Sequence, residues 1–448
     1  MNHRRQKRPN WFLISVLVLL IAGFTYMDRF IIPTYQSPFV PTATATPPPE
    51  QFITQAQGFL GQGKLSQAID AYNQALALKP NDPSIYIELA QVQVLAGDYT
   101  DAQTKAEDAL LLNPNLSEAN AVRASALDWQ GNYLDAEAAV KRALELDPNN
   151  ADAHAYYAEI LIDEYLTGSG TSTDVLNTAI TESKTALSLA PNSLEAHRAR
   201  GYVYEATGNY EESIREYQAA DAINDNIEDV HLQLGSNYRA LGSYDQAVEE
   251  FTKANGDNPS DPTADLLISR TYATVGEYAK AVQYAESALK AGPSDPNLIG
   301  NLGVMYYSNV DWPDAVKELS LAINGGTTDD GHKITPMQIS TDTHVVEYYY
   351  TYALVLAHLN RCGDALQVAQ LVQSRVPSDT NAMTQAAAAI QICQKNLASP
   401  PTSTVGTAAK GQSTAVPSAI TSTPVPETTS TSVPQITSTP IPLATSTP

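Results

Sequence analysis

His231-Leu-Gln-Leu-Gly-Ser-Asn-Tyr238, followed by Ala247-Val-Glu-Glu-Phe-Thr-Lys-Ala254 and then Pro259, is the stretch that decides the fold, because it recurs. Gly63, Gly97 and Gly131 stand 34 residues apart, as do Gly208, Gly242 and Gly276. Two positions later comes an aromatic: Tyr99, Tyr133, Tyr210, Tyr244, Tyr278 and, after Val310, Trp312. A small residue follows three positions on (Ala102, Ala136, Ser213, Ala247, Ala281, Ala315) and a second one seven further (Ala109, Ala143, Ala220, Ala254, Ala288, Ala322). Proline closes most units. Each column has a physical reason. Glycine takes the left-handed residue that ends a first helix. The alanines form a stripe on the second helix where a neighbour packs closely. Proline stops that helix and pre-sets the turn into the next unit.

The pattern resembles the tetratricopeptide repeat, in which an aromatic-x-x-Leu-Gly-x-x-Tyr helix pairs with an Ala-x-x-x-Phe-x-x-Ala helix and a proline. Ile299-Gly-Asn-Leu-Gly-Val-Met-Tyr306 fits the same template. The resemblance implies an all-α, right-handed solenoid of nine helix pairs over 49–379, with units beginning near 49, 83, 117, 151, 194, 228, 262, 296 and 346. Residues 380–397 read as one further helix, capping the open end of the stack. The fourth unit gains nine residues around Thr167-Gly-Ser-Gly-Thr-Ser-Thr173, and a long insertion, Gly325 to Val345, follows the eighth. In such a stack the turn of one unit lies beside the end of the next unit's first helix. Cys362 and Cys393, the only cysteines, fall on those two elements, so a disulfide between them is expected.

Outside the repeats, composition divides the chain. Residues 1–10 are basic, with Arg4, Arg5, Lys7 and Arg8, and precede an apolar run, 11–27. Its Trp11–Tyr26 part reaches about 24 Å as a helix, slightly under a bilayer core of roughly 30 Å, and Met27 and later apolar residues can extend it. No pair of small residues suits signal cleavage near its end. An uncleaved signal-anchor is therefore expected, the alternative being secretion after cleavage. The positive-inside rule would keep the N-terminus cytoplasmic and export the repeats. Residues 28–48 form a Pro/Thr-rich linker. Residues 398–448 are a Ser/Thr/Pro-rich tail that cannot build a core and is expected to be disordered. With this anchor, the resemblance implies a tetratricopeptide-repeat protein of the membrane-anchored bacterial type.

Charge excludes one class of partner. The segment 49–397 holds 20 basic and 47 acidic residues and should repel nucleic acid rather than neutralise its phosphates. Candidate chemical motifs also fail. Gly58-Phe-Leu-Gly-Gln-Gly63-Lys64 lacks the Ser/Thr that must follow a phosphate-loop lysine. His154, His197 and His231 recur at one position of successive units, on helices too far apart to share an ion. Asp329-Asp330-Gly331-His332 lacks the ligand spacing of a calcium loop and reads as a turn. No catalytic constellation, cofactor site or metal site is expected, and no small-molecule substrate is evident.

The resemblance implies a protein- or peptide-binding groove lined by the first helices. Its expected residues include an acidic stretch, Glu118, Asp128, Asp152, Glu159 and Asp163. Next to it come Arg198, Tyr202, Arg239 and Arg270, with Trp129, Tyr307 and Tyr350 as aromatic anchors. Gln233, Thr263 and Leu267 depart from the Lys/Asn/Arg clamp of chaperone-binding relatives. The expected function is a membrane-anchored, extracytoplasmic scaffold. The alternative is a cell-surface or cell-wall-associated spacer.

Overall fold

The glycine columns become turns. In the computed structural model, which describes residues 10–31, 47–168 and 173–398, Gly63, Gly97, Gly131, Gly208, Gly242 and Gly276 all have φ between +67° and +82°. Each separates two packed antiparallel helices. The pairs are α2/α3 (Pro49–Leu60, Leu65–Leu78), α4/α5 (Pro83–Leu95, Tyr99–Leu112) and α6/α7 (Ser117–Trp129, Tyr133–Leu146). They continue as α8/α9 (Ala151–Leu166, Thr173–Leu189), α10/α11 (Leu194–Ala206, Tyr210–Asp221) and α12/α13 (Glu228–Ala240, Tyr244–Asp257). The last three are α14/α15 (Thr263–Thr274, Tyr278–Ala291), α16/α17 (Pro296–Ser308, Trp312–Asn324) and α18/α19 (Thr343–His358, Cys362–Arg375), closed by α20 (Thr380–Ala398). Each helix packs on the next, so the nine pairs build the tetratricopeptide-like solenoid. The basic segment 1–9, the linker from residue 32 to 46 and the tail from residue 399 lie outside the described residues.

Two turns break the glycine rule. Asn360 adopts φ +60°, as its short polar side chain permits, but Val310 adopts φ +65°. A β-branched residue in this region is strained. Several first helices begin on a side-chain cap, with Asp82, Asn150, Ser193, Asp295 and Asp342 accepting from backbone N–H groups. The alanine stripes are fully buried: Ala102, Ala136, Ala247, Ala281 and Ala315 expose no surface.

The insertions add more than loop. In the fourth unit α8 and α9 extend to 16 and 17 residues, so much of the extra length is helix. The second insertion forms a two-stranded hairpin, β1 (Gly326–Thr327) and β2 (Lys333–Ile334), with Gly326 opposite Ile334. Ile334 buries against Ile299 and Ala322, and the Tyr349 hydroxyl donates to the Met337 carbonyl at 2.7 Å. The hairpin is thereby sealed onto the stack. The following helix starts at Thr343, ahead of the expected residue 346, because Asp342 caps it.

Cys362 and Cys393 are joined as a disulfide with Cα atoms 5.4 Å apart, tying the start of α19 to α20. Near the N-terminus, α1 (Trp11–Tyr26) runs on through Met27–Ile31 in π geometry. Residues 11–30 are long and apolar enough to cross a membrane, and none of them packs into the rest of the structure.

The array also closes on itself. Leu95, at the end of α4, packs into the cluster of Leu194, Ile214, Ile227, Val230 and Leu234. The Asn224 side chain donates to the Leu60 carbonyl, and Gly63 lies against Asn226. The turns of the first two units thus meet the turn between the fifth and sixth, forming a seam across the inner face.

Candidate groove and inner cavities

The seam determines what the inner face offers. Between α2 and α12 the first helices line two cavities. One, of about 250 Å³, is lined by Tyr72, Glu88, Tyr156 and Arg198 among others. The other, of about 150 Å³, is lined by Asp128, Trp129, Glu159, Asp163, Arg198, Tyr202, Tyr217, Asp229 and Gln233.

Arg198 is therefore internal, and Tyr202 is half-buried beside it. The Arg198 guanidinium makes a two-pronged pair with Glu159, Nε to Oε1 at 3.0 Å and Nη2 to Oε2 at 2.9 Å, and both residues are buried. Sequence reading placed Arg198 in an open basic spot. The structure instead spends its charge within the protein. Tyr202 donates its hydroxyl to Asp163. Burial pushes the Asp128 carboxyl up to about 9, and the Asp163 and Glu159 charges add to the effect. Burial also raises Asp163, against the lowering influence of Tyr202 and Asp128. Both carboxyls line the same cavity, and like charges placed together favour keeping one of them protonated. Trp129 stacks on Tyr99 with ring centroids 5.3 Å apart and remains 42 % exposed.

Beyond the seam the remaining expected groove residues are half-buried on α12, α14, α16 and α18. Arg239 stands over the Phe251 ring, 6.0 Å from its centroid. Burial, and then the neighbouring Arg270 cation, push its guanidinium below the usual arginine range. Arg270 is held by Asn301 Oδ1 at 3.1 Å and the Tyr348 hydroxyl at 3.2 Å, and meets His344. Tyr307 tilts against His358, and the Tyr350 hydroxyl accepts from Asn381. Arg239 and Arg270 form a cationic pair on this half of the face. Trp129 is separated from it in sequence but shares a cavity with Gln233 of α12.

Sequence reasoning missed a second internal network. The His154, His197 and His231 rings each place Nδ1 on a glutamate of the paired helix, respectively Glu182, Glu216 and Glu250. Nε2 faces the carbonyl of Pro148, Pro191 and Asp225 in turn. The signal was available, since those glutamates are themselves spaced by 34. The insertion hairpin borders a cleft of about 990 Å³ against α15 and α17, lined by charges of both signs: Lys290, Lys317, Asp329, Asp330 and Arg361.

Comparisons with known proteins agree with the repeat architecture. The tetratricopeptide-repeat profile matches residues 122–164, 178–226 and 232–296, and a second TPR-repeat profile matches 59–97. A search of curated proteins finds no match. Among solved structures, a tetratricopeptide repeat protein of Parabacteroides merdae is 16 % identical. It aligns over 57 % of this chain and 98 % of its own, with a TM-score of 0.37. A thermophilic TPR protein of Thermus thermophilus is 22 % identical over 42 % of this chain and 98 % of its own, TM-score 0.37. PilF of Pseudomonas aeruginosa is 21 % identical over 45 % of this chain and 88 % of its own, TM-score 0.38.

Proposed function

We propose that this tetratricopeptide-repeat chain is a non-catalytic scaffold that holds a protein or peptide partner on the inner face of its first helices. The supporting observation is the set of half-buried groups on α12–α18: the Arg239–Arg270 pair with Tyr307 and Tyr350 beside it. Aromatic and arginine side chains in partly dry surroundings anchor interfaces more strongly than exposed rim charges do. Residues 11–30 would anchor the chain in a membrane, with the repeats on the extracytoplasmic side.

The test of the groove is a pull-down from the native membrane with wild type and with the Arg239→Ala/Arg270→Ala double variant. Arg198 is left intact, because removing it strands the Glu159 charge. Loss of the captured partner supports the groove. An unchanged partner set would sink it. Topology is read separately by shaving intact cells with external protease. Protected repeats would contradict export.

A further inference from the structure

The cavity under Trp129 holds an imbalance of charge that the chain leaves uncorrected. Asp128, Glu159, Asp163 and Asp229 line it, and Arg198, the cation among its lining residues, is engaged by Glu159. The donors facing the other three carboxyls are weak in sum. Tyr202 gives its hydroxyl to Asp163, and Gln233 Nε2 reaches Asp229 at 3.4 Å. Asp128 is 6 % exposed, and its Oδ1 is buried without a hydrogen-bond partner. A buried carboxyl oxygen with no donor is costly. It is tolerated here because the carboxyl can keep its proton, which leaves the site unfinished rather than unstable.

We propose that this cavity receives one ammonium or guanidinium group from a lysine or arginine of the partner segment. A cavity of about 150 Å³ equals the liquid volume of roughly five waters, enough for a single side-chain cation and its last methylenes. Among the described residues no three His, Cys, Asp or Glu side chains converge closely enough to hold a metal ion, which favours an organic cation with several donors. Trp129 at the exposed rim supplies a surface for the aliphatic stem and for cation–π contact on entry. This assignment rests on the scaffold reading and specifies the chemistry of one contact within it.

Binding carries a proton balance. The groups facing Asp128 are Asp163 and Glu159 of α8, Arg198 of α10, and Tyr133 at the start of α7. An entering cation favours the ionised form of the Asp128–Asp163 pair, so the shared proton leaves to solvent as the cation docks. Affinity therefore rises with pH across the neutral range.

The experiment uses the full chain in detergent and isothermal calorimetry in two buffers of different ionisation enthalpy. The probes are a neutral-capped peptide with a single lysine, the same peptide with norleucine or glutamate in that place, and free 1,5-diaminopentane. The lysine peptide should bind with proton release, and the norleucine peptide should bind at least tenfold more weakly. Asp128→Asn and Asp163→Asn should each weaken lysine binding at least tenfold. Asp128→Asn should also abolish the proton release, a readout that a loss of packing would not mimic. Both variants remove a buried carboxyl, so thermal unfolding should show them folded. If diaminopentane binds as tightly as the peptide, the peptide source is overturned. Binding of the glutamate peptide but not the lysine peptide overturns the cation assignment and leaves the scaffold standing. Binding of none overturns the assignment for single-residue cations altogether, while the pull-down still judges the scaffold.

Discussion

Arg198 and Glu159 show how a residue's role depends on what closes over it. Both lie on first helices, 39 positions apart, and each would be an ordinary groove charge in an open array. Here they are buried together. Removing one partner of such a pair leaves an uncompensated charge, so Arg198→Ala should destabilise the chain by about 3–5 kcal/mol. Replacing both with apolar residues, Arg198→Met with Glu159→Leu, should be near neutral. Urea unfolding of the two variants separates the cases. The histidines carry a pH dependence of their own. Burial disfavours the His231 cation, but the Glu250 bond, the Asp225 carbonyl and the Asp221 and Asp257 charges outweigh it and raise the ring's pKa. A raised folded value means that His231 contributes stability fully below about pH 6.5, its usual unfolded value, and loses it as pH climbs through the folded one. His231→Asn should therefore be most destabilising near pH 5.5, with its difference from wild type shrinking in alkali to the cost of lost packing, as followed by thermal melts across pH. The recurrence of histidine was plain in the sequence. Its partner was legible only by comparing the glutamate positions with the same 34-residue ruler.

At the scale of the element, the repeat grammar translates directly into helices, because each column answers a local need: a left-handed turn, a close approach, a stop. Units began where expected, within one residue for the first eight. The grammar says nothing of the insertion, whose two-residue strands have no alternation to read and whose order comes from Ile334 reaching the core. Val310 is the place where an element departs from its own rule. Val310→Gly should relieve the left-handed strain and stabilise by roughly 1 kcal/mol, the strain outweighing glycine's extra unfolded freedom. Chemical denaturation reads it. The disulfide governs the last element. A closed loop of 31 residues predicts roughly 3–4 kcal/mol of stabilisation. Cys393→Ser should let α20 open first, seen as selective proteolysis within 380–398 while α2–α17 stay protected.

For the whole array, the seam could not be read from the sequence. It follows from the small rotation added at each unit interface, and errors in that rotation accumulate over five units. Its contacts are an apolar one at Leu95 and a polar one between Asn224 and the Leu60 carbonyl. Leu95→Glu should part the seam without unfolding any helix. Distance measurements between labels at the exposed positions Gln67 and Ser260 should lengthen, with helical content unchanged. The open and closed arrays would then differ in access to the inner cavities, so the variant also tests whether partner capture depends on closure.

Most repeat arrays can gain or lose a unit and remain sound, since each module answers only to its neighbours. An array that touches itself has forfeited that freedom over part of its length. Between Leu60 and Asn224 the number of modules is counted by the contact, much as the teeth of a gear are counted by the wheel they mesh with. Duplication of a module there would leave Leu95 facing the wrong helix. Lengthening by a fraction of a module, as the fourth unit has done within its own two helices, preserves the count. Descendants of this chain should therefore vary freely in module number after the sixth unit and hardly at all before it.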